Sequence, residues 1–299
     1  MNVGATTRVG VTLPQFSGDP RRFAEGAAAV EESRLDSLWV FDHLWPLSGG
    51  KERPAFEAWS SLAWLARRTG RVQIGTLVTR SSLRHPALLA KMAATVASIA
   101  PGRVTVAIGS GDQMSRAENE AFGIPYYAEG ERIDQLRSTV ETVINLLRGG
   151  SFSLRDDHVA ITDLTVSPRP SPAPPVWVAG RSDDAIEVAA TLADGWNGWA
   201  GSPERFAQDA GNLVEMAEGR ALEITWGGLV VLRATDAAAA AALGGRSPRG
   251  LVVGGPGTVA RKLRRYIDAG ARHLIITFVG EWNVAQVRLL AEEVVPRLR

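Results

Sequence analysis

Asp42 and His43 put an acid and an imidazole side by side where an apolar run, Ser37 to Phe41, comes to its end. Such a run suits a strand buried on both faces, and in parallel α/β proteins chemistry gathers at the carboxyl ends of the strands. An imidazole there can take or give one proton near neutrality. The competing structural reading is that Asp42 caps the next turn while His43 packs against Trp45. A second acid, Asp112, closes Gly109-Ser110-Gly111-Asp112 behind another apolar run, Arg103 to Ile108. Two glycines let backbone approach a ligand closely, although the third glycine of a dinucleotide fingerprint is missing. A third strand end, Ala179-Gly180-Arg181-Ser182, opens a helix that starts with acidic residues. A phosphate suits that helix start; a cap by Ser182 or Asp183 with no ligand explains the same residues.

Composition removes other chemistries. The absence of cysteine excludes disulfides, thiol nucleophiles and thiolate metal sites. His43, His85, His158 and His273 are scattered with no pair at helical ligand spacing, so no metal centre is expected. With 33 basic against 32 acidic side chains, nothing points to nucleic acid. No basic leader followed by an apolar run is present, and no apolar stretch nears the ~20 residues needed to cross a bilayer. A soluble, cytoplasmic protein without a membrane partner is expected.

The elements that must position these residues alternate strand and helix. Val9 to Leu13 reads as a strand, and Asp19-Pro20 opens a helix to about Arg34. Phe56 to Thr69 carries an apolar helical stripe; Arg71 to Val78 is a third strand; the Ala- and Leu-rich helix from Ala87 to Ile99 should be buried against the sheet. Glu129 to Leu147 is amphipathic and stops at Gly149-Gly150. Ser151 to Pro175, polar and then proline-rich, breaks the rhythm as an insertion after the fifth helix. Further strands are expected at Val176 to Ala179, Ala193 to Trp199, Thr225 to Arg233 and His273 to Phe278. Helices are expected at Glu204 to Arg220, Ala237 to Leu243, Thr258 to Ala269 and Val284 to Leu298, and the basic face of Thr258 to Ala269 reads as solvated. About eight such units make one (β/α)8 TIM barrel of α/β class spanning residues 1–299, with its insertions at the C-terminal face. An open doubly wound sheet uses the same buried parallel strands; chain length favours the barrel.

Several of these strand ends together resemble a known family. Phe41 to Pro46, Ile74 to Thr79 with Arg84-His85-Pro86, Pro101-Gly102-Arg103 leading to Gly109 to Asp112, and Ala193 to Asn197 resemble the bacterial luciferase-like oxidoreductases, and most closely the branch using the deazaflavin coenzyme F-420. The likeness covers about residues 8 to 200 well. It reaches the last third only through Gly255 to Thr258 and the basic helix behind them. It implies a barrel with a deep pocket at its mouth, where Asp42 touches the deazaflavin ring and His43 lies near the carbon that carries the hydride. It also implies that Leu77 and Val78 back one ring face, across a cis peptide bond. The phosphate end is implied at the fourth- and sixth-strand exits, Gly109 to Asp112 and Ala179 to Arg181, with Gly109, Gly111, Ala179, Gly180 and Arg181 as contacts.

The residues agree on their own terms, because hydride transfer needs a flat ring held at contact distance and one proton-handling group, with no nucleophile or metal from the protein. His43 is the candidate for that group and Asp112 a second acid. The expected function is an F-420-dependent oxidoreductase acting on a small-molecule substrate, with homodimer formation left open. Alternatives are an FMN-dependent monooxygenase fed by a separate reductase, and a non-catalytic cofactor-binding barrel. Leu47, Pro14 and Asp112 replace a tryptophan and two glutamates of the branch's sugar-phosphate dehydrogenases, which argues against a sugar-phosphate substrate. Trp45, Trp196 and Trp199 are candidates for an aromatic pocket wall.

Overall fold

The computed structural model describes residues 6–46, 50–245 and 247–299; Leu47 lies outside them. Its strands are β1 (Arg8–Thr12), β2 (Ser37–Val40), β3 (Gln73–Thr76), β4 (Thr79–Arg80), β5 (Val104–Gly109), β6 (Phe152–Arg155), β7 (Ala160–Leu164), β8 (Val176–Ala179), β9 (Gly195–Trp199), β10 (Glu223–Leu232), β11 (Leu251–Gly254) and β12 (His273–Phe278). The helices are α1 (Pro20–Glu31), α2 (Ala58–Arg68), α3 (Pro86–Ile99), α4 (Arg116–Ala121), α5 (Glu129–Arg148), α6 (Asp183–Leu192), α7 (Pro203–Met216), α8 (Asp236–Ala242), α9 (Pro256–Asp268) and α10 (Val284–Leu289).

Eight parallel strands close on themselves in the order β1, β2, β3 with its continuation β4, β5, β8, β9, β10, β12 and back to β1. This is a (β/α)8 barrel, and the open sheet is set aside. The apolar runs that suggested double burial are buried throughout, Ser37–Val40 and Val104–Gly109 included, because helices cover the outer face and side chains fill the inner one. Local chemistry sets the helix starts. Asp19 accepts from Arg21 N–H and Glu57 from Trp59 and Ser60 N–H, and proline occupies the first turn of α1, α3, α7 and α9.

Four features differ from the sequence reading. Val176–Ala179 is the fifth barrel strand rather than the sixth, since the segment before it supplies α4, α5 and the antiparallel hairpin β6–β7 but no barrel strand. β11 was not expected: β10 is ten residues long, so β9 pairs with its first half and β11 with its second half along the same edge. Helix α3 is only partly covered, with Leu88 and Ile99 about half exposed, because its apolar composition runs all round while the sheet takes one face. The last helix ends at Leu289 and continues through a π turn and a 3-10 turn that reaches Arg297. Among the described residues no helix is long and apolar enough to cross a membrane.

The lower barrel interior is polar and closed. His273 is fully buried, its Nε2 accepting from Ser37 Oγ at 2.7 Å while the same oxygen accepts from Trp39 Nε1 at 2.7 Å. That tautomer puts the proton on Nδ1, which faces Glu223 Oε1 at 3.6 Å; Glu223 pairs with Arg8. Trp39 and Trp177 stack above with ring centroids 5.2 Å apart, and Leu77, Ala107 and Ile275 complete the layer. Burial, partly opposed by Glu223, holds His273 below the usual histidine pKa. The folded barrel therefore resists a proton that the unfolded chain accepts below pH of about 6.5, so stability is complete above that value and falls as pH drops through it. Denaturant unfolding at pH 7.5 and 5.5 should show a loss approaching 1 kcal/mol that a His273→Gln variant lacks; an equal loss in both proteins would place the effect elsewhere.

Candidate functional site at the barrel mouth

The chain leaves β3 at Thr76 and resumes at Thr79, and the two hydroxyls bond each other at 2.7 Å across the gap. Leu77 and Val78 form the bulge between them, and the Leu77–Val78 peptide is cis, as the resemblance implied. Leu77 joins the tryptophan layer of the barrel interior, and Val78 packs against it. A side chain on Gly109 would place its Cβ 2.7 Å from Val78 Cγ2, so glycine is required for the bulge and β5 to meet.

Strand register then collects the predicted residues in one row. Arg80 pairs with Gly109, Gly109 with Ala179, and Ala179 with Asn197. Gly111 and Asp112 follow on one loop, Gly180 and Arg181 on the next. Residues scattered over more than 100 positions of sequence thus share the mouth because parallel strands end together there.

Asp42 is 1% exposed, and its carboxylate accepts from both terminal nitrogens of Arg84, at 2.6 and 2.9 Å, and from Arg80 N–H at 3.0 Å. Arg84 also pairs with Glu57. Arg80, itself buried, donates from Nε to the Asp42 carbonyl and from Nη1 to Asn119, each at 3.0 Å, and its other terminal nitrogen pairs with Glu118. Glu118 is the residue that sequence reasoning missed. It sits on α4, a six-residue helix hidden between Asp112 and the amphipathic α5, too short to show a periodicity. No local signal marked it, because the burial of the Arg80 guanidinium that it balances is itself a tertiary fact.

Glu118 Oε1 accepts from the N–H groups of Leu44 and Trp45 at 2.7 and 2.9 Å, and Oε2 lies 3.1 Å from His43 Nδ1. Burial raises its pKa, but the bonds from His43 and Trp45 and the charge of Arg80 outweigh this and hold it below the usual carboxylate range. An ionised carboxylate only accepts, so His43 must donate from Nδ1, which leaves Nε2 of the neutral ring as the acceptor. The site holds an imidazole in one tautomer at the end of a barrel strand. It can accept a proton at Nε2 and return it.

Asp112 is exposed on the rim and accepts from the N–H and hydroxyl of Ser115, at 3.1 and 3.0 Å. Of the three tryptophans proposed as wall, Trp199 sits among the inward residues with Val78, and Phe41 meets it edge-on at 6.0 Å. Trp196 is fully buried on the opposite face, stacked on Phe206 and bonded to the Gly180 carbonyl, because three positions along a strand reverse the side. Trp45 packs against Phe122. Arg181 is held by Asp209, which Arg205 also grips, and its guanidinium lies flat on Gly201, where any Cβ would collide with it at 2.6 Å.

A barrel with its polar site on the strand ends defines an α/β enzyme class, and comparison with known proteins narrows it. The family model for luciferase-like monooxygenases matches residues 1–249, and the chain belongs to that family. An F420-dependent glucose-6-phosphate dehydrogenase of Beutenbergia cavernae is 28% identical over 321 aligned residues that cover 94% of each chain. An F420-dependent hydroxymycolic acid dehydrogenase of Mycobacterium tuberculosis is 29% identical over 217 residues, covering 72% of this chain and 58% of that one. Among solved structures, an F420-dependent secondary alcohol dehydrogenase in complex with an F420-acetone adduct superposes with a TM-score of 0.87 at 19% identity, over 98% of this chain and 99% of that one. Monooxygenase RslO1 from Streptomyces bottropensis gives 0.80 at 19% identity, over 98% and 100%. At these identities the structural likeness is one of fold.

The geometry around Glu118 predicts its own test. Glu118→Gln keeps the shape but leaves Arg80 and the bound loop without their charge, and should cost about 3 kcal/mol of stability in urea unfolding at pH 7. An unchanged midpoint with an unchanged slope would remove Glu118 from the framework of the site.

Proposed function

We propose that this chain is a coenzyme F-420-dependent oxidoreductase that moves a hydride between the deazaflavin and a small organic molecule. The observation that carries the reading is the His43 imidazole fixed at the barrel mouth by ionised Glu118, at the exit of β2, whose Asp42 is bonded to the β4 backbone behind Leu77 and Val78. The F420-dependent relative matching over 94% of the chain supports the coenzyme.

The residues present fit that coenzyme. Gly109 lets Val78 pack against the β5 backbone, and Leu77, Val78 and Trp199 offer an apolar surface suited to a flat ring. Gly109, Gly111, Ala179, Gly180 and Arg181 lie along the adjoining strand exits, where backbone N–H groups and one guanidinium suit a phosphate. When bound, the coenzyme supplies the carbon that gives or takes the hydride. His43 Nε2 takes up the proton released when an alcohol-like substrate is oxidised, or gives it back in the reverse direction. Glu118 stabilises the imidazolium that results and fixes the ring's orientation. Asp42, with both oxygens held by Arg84, forms a rigid part of the wall. Asp112 is the second acid, on the rim where a substrate enters.

Fluorescence titration of the purified protein with F-420 and with FMN tests the coenzyme; micromolar binding of FMN with none of F-420 would favour an oxygen-consuming monooxygenase instead. His43→Ala should keep coenzyme affinity within about twofold and slow the chemical step by about a hundredfold or more in single-turnover measurements. Unchanged turnover would remove His43 from the chemistry.

A further inference from the structure

The coenzyme reading occupies the half of the mouth built by β3, β4, β5 and β8. The other half runs from β9 through β10 and β12 to β1 and β2, and the alternation of each strand defines its inner face. On β10, Trp226, Val230 and Leu232 pack outward with the helices, so Thr225, Gly227, Leu229 and Val231 face inward. On β12, Leu274, Ile276 and Phe278 are outward, and Thr277 is inward, where its hydroxyl accepts from Thr12 Oγ1 at 3.1 Å. Trp199, Leu229 and Thr277 stay partly exposed although they point into the barrel. An inward side chain keeps contact with solvent only where the mouth is open above it. These three residues, with Phe41 edge-on to Trp199, therefore line open space on the side of the mouth that the coenzyme leaves free. The lining is apolar except for one hydroxyl.

Arg233 stands at the rim of this wall. It follows Leu232 and extends the pairing with β11 by donating its N–H to the Gly254 carbonyl at 3.3 Å, so the alternation of β10 puts it on the inward side. Its guanidinium reaches the exit of β12, where a Cβ on Gly280 would lie 3.7 Å from Nη2. Among the described residues its side chain donates only to the Leu232 carbonyl, from Nη1 at 2.8 Å, and no acid pairs with it. Arg80, Arg84 and Arg181 differ in this respect: they pair with Glu118, with Asp42 and Glu57, and with Asp209. The acids nearest to Arg233 along the chain and beside Gly280 are also engaged. Asp236 accepts from the Gly255 N–H and the Thr258 hydroxyl, and Glu281 pairs with Arg22 at 3.0 Å.

We infer that Arg233 anchors a carboxylate of the substrate, which makes that substrate an alcohol, or the corresponding carbonyl compound, with an apolar body and one carboxylate remote from the reacting carbon. The inference rests on the proposed F-420-dependent reaction at His43. Three features define the class. Phe41, Trp199 and Leu229 offer a hydrocarbon or aromatic body its contacts. A guanidinium presents paired donors that match the two oxygens of a carboxylate. One unpaired cation balances the single charge of a carboxylate, whereas a phosphate monoester brings about two near neutrality, and the guanidiniums of Arg80, Arg84 and Arg181 are already neutralised. Arg233 thus selects the substrate and sets where its reacting carbon lies, while His43 handles the proton.

The test uses straight-chain methyl ketones that end in a carboxylate, from levulinate upward by single methylenes, each against its own primary amide. Binding is read by calorimetry and thermal shift on the protein alone and on the protein titrated with F-420. At the best chain length the acid should bind about tenfold or more tightly than the amide, the worth of one charge-assisted pair. Arg233→Gln should remove that preference, with the loss falling on the acid. Arg233→Lys, which keeps the charge without the fork, should reduce it severalfold and serves should the first variant fail to fold. Equal affinity of wild type for acid and amide at every length overturns the inference, as does a preference that survives in Arg233→Gln, or tighter binding of a phosphate-ended ketone than of the acid. Each of these leaves the coenzyme assignment standing when F-420 binds in the same titrations. An acid preference that depends on Arg233 in a protein that does not bind F-420 supports the anchor and overturns the coenzyme assignment alone.

Discussion

The Arg80 guanidinium joins three pieces of chain that have no other reason to be in register. It bonds the carbonyl of Asp42 at the end of β2, pairs with Glu118 and bonds Asn119 on α4, and it stands on the two-residue strand that closes the bulge. A buried cation costs several kcal/mol to desolvate and is stable only when its partners are present and well placed. Glu118, about 1% exposed, depends on that cation in turn, since the charge of Arg80 is among the causes that hold its pKa low against burial. The position of His43 is thus set by a charge balance assembled from β2, β4 and α4 together.

Around that centre the barrel divides its interior into layers of different character. The lower layer, with Ser37, Glu223 and His273, is polar, and the layer above it is tryptophan and aliphatic. Polar groups at the bottom specify a single register of closure, since Ser37 bridges β2 to β12. Apolar groups above them leave the upper end as the face where a ligand can enter. Chemistry is confined to the strand ends by what fills the space beneath them.

Much of this was legible in the sequence, and for identifiable reasons. Strands buried on both faces announce themselves as apolar runs, so the alternation and the barrel could be read, as could the strand ends that carry Asp42, His43, Gly109 and Ala179. Two things could not. Glu118 lies on a helix of six residues, below the length at which periodicity shows. β11 exists because β10 outlasts β9, a comparison of strand lengths in space that local patterns do not encode. Arg84 was read as part of a family motif; its bidentate grip on Asp42 is a tertiary fact about a residue 42 positions away.

The contact between Val78 and the bare backbone of Gly109 also has an evolutionary side. The two positions lie on different strands and share one volume, so neither can be exchanged freely while the other is held constant. Enlarging residue 109 requires shrinking residue 78, and a library that varies either alone will sample mostly collapsed mouths. Paired exchanges at 78 and 109 are therefore the economical way to reshape this part of the barrel mouth while the charged framework of Arg80 is left untouched.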